Sequence, residues 1–187
     1  ENIDINIAIF TNLSIDHLDF HNTLEEYFDT KLKLFKKLNN NSLALLNQDD
    51  YYFKKIIPEL KCNYETYGFN KKSDLYVASY ILNINYTKIN FKYKGKEYNL
   101  KTHLIGKFNI YNILSSILCS IHLGVDIKDI IKSIEKFENV PGRLEQFELT
   151  NNNHGIIDFA HSPDSFKNIL STIKELSNKK IITIFGC

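Results

Sequence analysis

The sequence predicts an α/β fold, and three observations predict it. Short apolar runs at residues 6 to 10 and 43 to 47 have the length and unbroken character of buried strands. Between and after them lie segments whose apolar residues recur with helical spacing. A Pro-Gly break at Val140-Pro141-Gly142 then separates this stretch from a second one ordered strand, strand, helix, strand.

Taken in order, the run Ile7-Ala8-Ile9-Phe10 reads as a strand that empties into Thr11-Asn12-Leu13-Ser14-Ile15-Asp16-His17-Leu18-Asp19-Phe20-His21. The end of such a strand is where α/β enzymes place their chemistry. Asp16, His17, Asp19 and His21 serve there as metal ligands or as caps and surface groups, and local pattern leaves both readings open. Residues 24 to 38 follow as an amphipathic helix. At about 100° per residue its apolar stripe is Leu24, Tyr27, Phe28, Phe35 and Leu38. Lys31 falls in the middle of that stripe, whereas Lys33, Lys36 and Lys37 point away. An ammonium against apolar surroundings is costly unless paired or neutralised. Two readings fit it: a lysine whose stem packs while its head reaches water or a carboxylate, and a reactive lysine.

The run 43 to 47 ends at Asp49-Asp50, and a helix is expected over 50 to 58. Segments 75 to 84, 87 to 93 and 97 to 104 are rich in Tyr, Ile, Val and Thr, and the last two form a hairpin about Lys94-Gly95-Lys96. After Gly106 the spacing turns helical through Ile110, Ile113, Leu114, Ile117, Leu118 and Ile121, until Gly124. Asn109 immediately precedes this run and reads as its N-cap, while Asn112, one turn in, has no capping duty. Asp126 caps a second helix bearing Ile127, Ile130, Ile131, Ile134 and Phe137. Beyond the break, 143 to 149 and 155 to 159 make a hairpin around Asn151 to Asn153. A helix over 163 to 176, with Ser162 as N-cap and Pro163 at its first position, and a strand over 180 to 185 close the chain.

Composition narrows the function classes. Of the 187 residues 43% are apolar, enough for an ordinary core, and the net charge of +1 gives no reason to expect nucleic acid or an acidic membrane surface. Cys62, Cys119 and Cys187 are odd in number and lack C-x-x-C spacing, which argues against a zinc site or a disulfide framework. No apolar run reaches the length of a membrane span and no signal peptide is seen, so a cytoplasmic, monomeric enzyme is expected.

Five colinear segments carry a resemblance. They are T-N-L-S-x-D-H-L-D-x-H with the following E-x-Y-x-x-x-K, Gly106-Lys-Phe108-Asn109-Ile-Tyr111-Asn112, Val140-Pro141-Gly142-Arg143-Leu-Glu145, Asp158-Phe-Ala160-His161-Ser-Pro163-Asp164, and the closing Ile184-Phe185-Gly186-Cys187. Together they resemble the Mur ligase superfamily, and within it most the UDP-N-acetylmuramoyl-tripeptide synthetases. The resemblance implies the second half of a central ATP-binding domain, a mostly parallel sheet with helices, over residues 1–140. It implies the beginning of an α/β C-terminal, amino-acid-binding domain over 141–187. The phosphate-binding G-T-x-G-K-[ST] loop of that superfamily does not occur here, so the chain reads as an internal piece of a longer enzyme and is expected to be inactive alone.

What the resemblance implies for function is an ATP-dependent ligase with Mg²⁺. It adds a diamino acid to UDP-N-acetylmuramoyl-L-alanyl-D-glutamate through an acyl phosphate, in peptidoglycan synthesis. Residue by residue, His17 matches a Mg²⁺ ligand, and Lys31 matches a lysine carbamylated by CO2 so that a cation becomes an anion. Asn112 matches the asparagine that reads adenine, with Asn109 counted beside it and Phe108 shaping the pocket. Arg143 lies near the nucleotide, Asp158 matches the carboxylate on the ribose, and His161 with the helix start after it faces the phosphates. His103, His122 and His154 are unremarkable. Folylpolyglutamate and cyanophycin synthetases, and a non-catalytic relative that keeps the fold as a binding module, are the alternatives. The forms T-N-L-S-x-D-H-L-D-x-H and D-[FY]-A-H-[ST]-P favour the tripeptide synthetases.

Overall fold

The structure, a computed structural model, describes residues 3–13 and 23–186. Its organising element is β2 (Leu43–Asn47), which is apolar on both faces because helices cover both. Ala44 and Leu46 enter one core and Leu45 the other. Strands β1 (Ile7–Phe10) and β3 (Asn63–Gly68) flank it in parallel, with Ile7 opposite Leu43 and Asn63 opposite Leu43 on the other side. β4 (Leu75–Asn83) continues in parallel at Tyr67 and Gly68. β5 (Tyr86–Tyr93) and β6 (Lys96–Thr102) then turn back antiparallel, giving a sheet in the order β1-β2-β3-β4-β5-β6. The β5–β6 connection is the tight hairpin expected. Lys94 and Gly95 both take positive φ, at 48° and 75°, which suits the right-handed strand twist.

On one face α1 (Leu24–Lys36) and the short α2 (Phe53–Ile56) pack through Phe28, Leu32, Phe35, Phe53 and Ile56 onto Ala8, Phe10, Ala44 and Leu46. On the other, α3 (Lys107–His122) and α4 (Ile127–Lys136) cover Leu45, Tyr67, Val77, Ile89 and Phe91. A separate hairpin, β7 (Glu145–Leu149) with β8 (Asn153–Ile157), leads into α5 (Pro163–Leu176). Gly106 permits α5 to approach the start of α3: at φ 89° a side chain there would be strained, and its Cβ would meet the Thr172 methyl at 2.9 Å.

Three expectations need correction, and one strand lies where none was expected. The helix over 50 to 58 shrinks to α2 plus a 3₁₀ turn at Ile57–Glu59, because Pro58 cannot extend the α-helical hydrogen bonding. β3 carries none of the aliphatic signal that marks its neighbours; its Asn-Tyr-Glu-Thr-Tyr-Gly sequence becomes a strand by pairing between β2 and β4. Residues 180 to 185 form no strand among the described residues, and Ile182, Ile184 and Phe185 are exposed there. The inner face of α1 is centred on Phe28, Leu32 and Phe35, so Lys31 sits at the flank of the stripe, half-buried, rather than in its middle.

Candidate functional site

Three parallel strands deliver their carboxyl ends to one side of the sheet, and polar side chains there fix the segment leaving β1. Asn47 Nδ2 donates to the Thr11 carbonyl at 2.7 Å, Asp50 Oδ2 accepts from Leu13 N at 2.9 Å, and the buried Tyr67 hydroxyl donates to the Phe10 carbonyl at 3.0 Å. Burial pushes the Tyr67 phenol well above its usual pKa, so it holds that contact as a donor. The neighbouring Asp49 accepts from Phe69 N at 2.6 Å, Asn70 N at 3.2 Å and the Tyr111 hydroxyl at 3.0 Å, tying the β3–β4 loop to the first turns of α3. Tyr111 too is held protonated to unusually high pH, first by burial and then by the Asp49 charge.

The start of α3 departs from expectation in one respect. Gly106, not Asn109, is its N-cap; Asn109 is the third helical residue and is buried. Its Nδ2 donates to the Ile105 carbonyl at 2.8 Å, and its Oδ1 accepts from Asn112 Nδ2 at 3.2 Å. The helix begins two residues earlier than Asn109 because glycine, at positive φ, already turns the chain into it. Asn112 is exposed on the next turn.

The second half of the site comes from the Val140–Arg143 turn and the end of β8. Asp158 Oδ2 accepts from Leu144 N at 2.8 Å and Oδ1 from Ala160 N at 2.7 Å, so the carboxylate pins both the turn and the loop after β8. Each oxygen retains a lone pair for a further donor. The Arg143 guanidinium lies 5.2 Å from the centre of the Phe159 ring and has no ion-pair partner among the described residues. His161 Nδ1 lies 3.0 Å from the Phe159 carbonyl oxygen, which only accepts, so Nδ1 carries the proton and Nε2 is left free for another partner. Ser162 caps α5 ahead of Pro163, as expected, and Ser165 completes a capping box with it.

These pieces meet in one cleft of about 820 Å³, lined by Asn112, Arg143, Asp158 and His161 together with Thr11, Asn47, Asp49, Lys107, Phe108 and Tyr111. Four of the seven site residues that the resemblance implied are thus brought together, and Phe108, expected to shape the pocket, lies with them. Asn109 lies behind Asn112 and does not line the cleft. Nor does Lys31, whose Nζ sits 4.8 Å from the centre of the Tyr27 ring. His17, with Asp16, Asp19 and His21, lies outside the described residues, and among those described no group of three or more His, Cys, Asp or Glu is placed to hold a metal ion. Sequence reasoning passed over Asn47, Asp49 and Tyr111. The available signal was the polar Asn47-Gln48-Asp49-Asp50 run directly after a parallel strand.

Comparison with known proteins agrees with this architecture. Residues 1–120 match the Mur ligase middle domain, and residues 142–187 the Mur ligase, glutamate ligase domain. The chain is 38% identical over 181 residues to UDP-N-acetylmuramoyl-L-alanyl-D-glutamate--2,6-diaminopimelate ligase 2 of Clostridium acetobutylicum, covering 97% of the chain and 37% of that protein. It is 39% identical over 181 residues to the corresponding ligase of Aquifex aeolicus, covering 96% of the chain and 36% of the relative. A solved structure of a UDP-N-acetylmuramoyl-L-alanyl-D-glutamate--2,6-diaminopimelate ligase superposes with a TM-score of 0.77 at 28% identity, over 94% of this chain and 37% of that one. The chain therefore spans less than two fifths of the length of these relatives. Among the described residues no helix is long and apolar enough to cross a membrane.

Proposed function

The chain belongs to the Mur ligase family, and from that premise we propose that the protein carrying it is an ATP-dependent, cytoplasmic ligase of peptidoglycan synthesis. It joins 2,6-diaminopimelate to UDP-N-acetylmuramoyl-L-alanyl-D-glutamate. The names of the relatives support the substrates, and narrow the expected diamino acid to diaminopimelate. In this reading residues 1–140 belong to the ATP-binding domain and 141–187 open the amino-acid-binding domain, a boundary supported by the second family match, which begins at residue 142.

The observation that carries the proposal is the cleft, where groups suited to each part of a nucleotide converge from two separate stretches of chain. A side-chain amide on α3 offers a donor and an acceptor for the edge of a base. The Asp158 carboxylate, already fixed by two backbone amides, has the lone pairs to accept from two ribose hydroxyls. The Arg143 guanidinium, steadied by the Phe159 ring, supplies positive charge and donors for phosphate oxygens, and His161, whose Nδ1–H is turned to the Phe159 carbonyl, donates to them from Nε2 only as the imidazolium. The reaction transfers the γ-phosphoryl group of ATP to the substrate carboxylate, releasing ADP. The amine of diaminopimelate then displaces phosphate from the acyl phosphate to leave an amide. Bringing two anions together requires fixed positive charge at their meeting point.

Mg²⁺ and a carbamylated Lys31 belong to the proposal only as far as the resemblance carries them. The observed Lys31 suits an ammonium, since it lies against the electron-rich face of Tyr27, where a carbamate anion would be repelled. Carbamylation requires the side chain to leave that ring.

Purified full-length protein incubated with ATP, the UDP-dipeptide and diaminopimelate tests the reading: one UDP-tripeptide should form per ADP released, with L-lysine a poorer amine. Equal ADP release with no amino acid joined, or ligation of glutamate to a folate instead, contradicts it.

A further inference from the structure

Asn109 is nine-tenths buried, yet both ends of its amide are engaged. The Ile105 carbonyl can only accept, so the group 2.8 Å from it must be the amide nitrogen of Asn109. That places Asn109 Oδ1 at the other end, facing Asn112. Because Oδ1 can only accept, the Asn112 atom 3.2 Å away must in turn be its nitrogen. One N–H of Asn112 is thereby spent inward. Its second N–H and its carbonyl oxygen remain, in a fixed order, for whatever enters the cleft.

The order matters for purines. A 6-aminopurine presents a donor at position 6 with an acceptor beside it, whereas a 6-oxopurine presents an acceptor there, with a donor on its Watson–Crick side. An amide free to flip offers its donor and acceptor in either order and pairs with both. A locked amide pairs with one and sets like against like in the other.

We propose that Asn109 is a positioning residue that locks the flip state of Asn112, and through it makes the cleft selective for a 6-aminopurine nucleotide over a 6-oxopurine one. The inference rests on the reading of Asn112 as the base-recognising group in the proposed ATP site. Asn109 does not line the cleft. The interaction that sets the selectivity begins at a buried backbone carbonyl one turn before Asn109 and reaches the base through two amides.

Titrations of ATP and GTP into the full-length protein, wild type and Asn109 variants, test it. Asn109→Asp loses the donor to Ile105 but keeps an acceptor facing Asn112, so it should melt earlier while the ATP-over-GTP affinity ratio stays near that of the wild type. Asn109→Leu loses both ends, and the ratio should narrow about tenfold, the scale of one paired base contact. Asn109→Ala, which cannot overpack, is read in the same way if the Leu variant does not fold. A merely structural role lowers the melting temperature in all variants and leaves the ratio alone, so an unchanged ratio in folded Asn109→Leu or Asn109→Ala overturns the proposal, as does an equal loss in Asn109→Asp. Asn112→Ala separates the two levels. If it narrows the ratio while the apolar Asn109 variants do not, Asn112 reads the base without a lock; if it too leaves the ratio unchanged, the base-reading assignment itself falls, and the lock with it.

Discussion

Replacing Asp158 by Asn removes one acceptor and one charge from a group that two backbone amides share. The wild-type carboxylate accepts from Leu144 N at 2.8 Å and Ala160 N at 2.7 Å. An asparagine satisfies one of these and turns an NH₂ toward the other. Leu144 is 2% exposed and sits at φ 47°, a conformation that a branched residue adopts only when its surroundings impose it, so its N–H has no ready access to water. Hydrogen bonds to charged groups contribute about 1.5–3 kcal/mol, and a buried donor left unpaired costs about 1–3 kcal/mol. A net destabilisation of about 2–3 kcal/mol is expected, enough to lower the melting temperature measurably in a thermal scan of the full-length protein. The same substitution removes one of the two acceptors proposed for the ribose, so the dissociation constant for ATP should rise about tenfold. If Asp158→Asn melts with the wild type, the carboxylate does not hold the turn. If it melts early but binds ATP as tightly as before, Asp158 is a structural group and its assignment to the ribose is wrong.

Further outcomes follow from single contacts. Lys31→Ala should fold, because the contact with Tyr27 at 4.8 Å is worth only about 0.5–2 kcal/mol at this half-buried site and alanine is the better helix former; it should nonetheless lose most ligase turnover, and Lys31→Arg should not restore it, since guanidinium cannot be carbamylated. Near-normal turnover in Lys31→Arg would sink the carbamate assignment. Tyr67 has a folded pKa raised by burial above its unfolded value of about 10. Its contribution to stability is therefore complete below pH 10 and is lost above it, by up to about 1.4 kcal/mol per pH unit. Urea midpoints measured from pH 9 to pH 11 should fall less steeply in Tyr67→Phe than in the wild type. Tyr111→Phe deletes the donor to Asp49, and the looser start of α3 should raise the KM for ATP a few-fold while kcat changes little; a kcat effect alone would show that this tie does not serve nucleotide binding.

Much of this fold was readable because burial writes a plain pattern. β2 is apolar at every residue from Leu43 to Leu46, as a strand covered on both faces must be, and the apolar faces and caps of α4 and α5 state their lengths within a residue or two, whereas α3 starts three residues before the first helical position that a cap at Asn109 implied. β3 was hidden because its strand character comes from its neighbours: tyrosines supply its packing, and its backbone is satisfied by β2 and β4. Periodicity misjudged Lys31 by leaving Leu32 out of the stripe; the side chain that fills the space between α1 and the sheet decided the face. In the cleft, Asn112, Arg143, Asp158 and His161 were singled out because they stand on the short motifs that resemble the Mur ligases, and folding brings those motifs to one place. Asp49 and Tyr111 were not, because a carboxylate at a strand end and a tyrosine one turn into a helix acquire meaning only when folding brings them within 3.0 Å. The role of Asn109 was mistaken for the same reason: capping follows from local sequence, whereas its bond to Ile105 depends on where Gly106 starts the helix.

The cleft between α3, the Val140–Arg143 turn and the start of α5 is the proposed nucleotide site. A crystal structure of the full-length protein with a non-hydrolysable ATP analogue tests it most directly. The adenine edge is expected against the Asn112 amide, the ribose hydroxyls within hydrogen-bonding distance of Asp158, and the phosphates running past Arg143 and His161. An analogue bound elsewhere, or one lying in the cleft with its base turned away from Asn112 and its ribose away from Asp158, would contradict it.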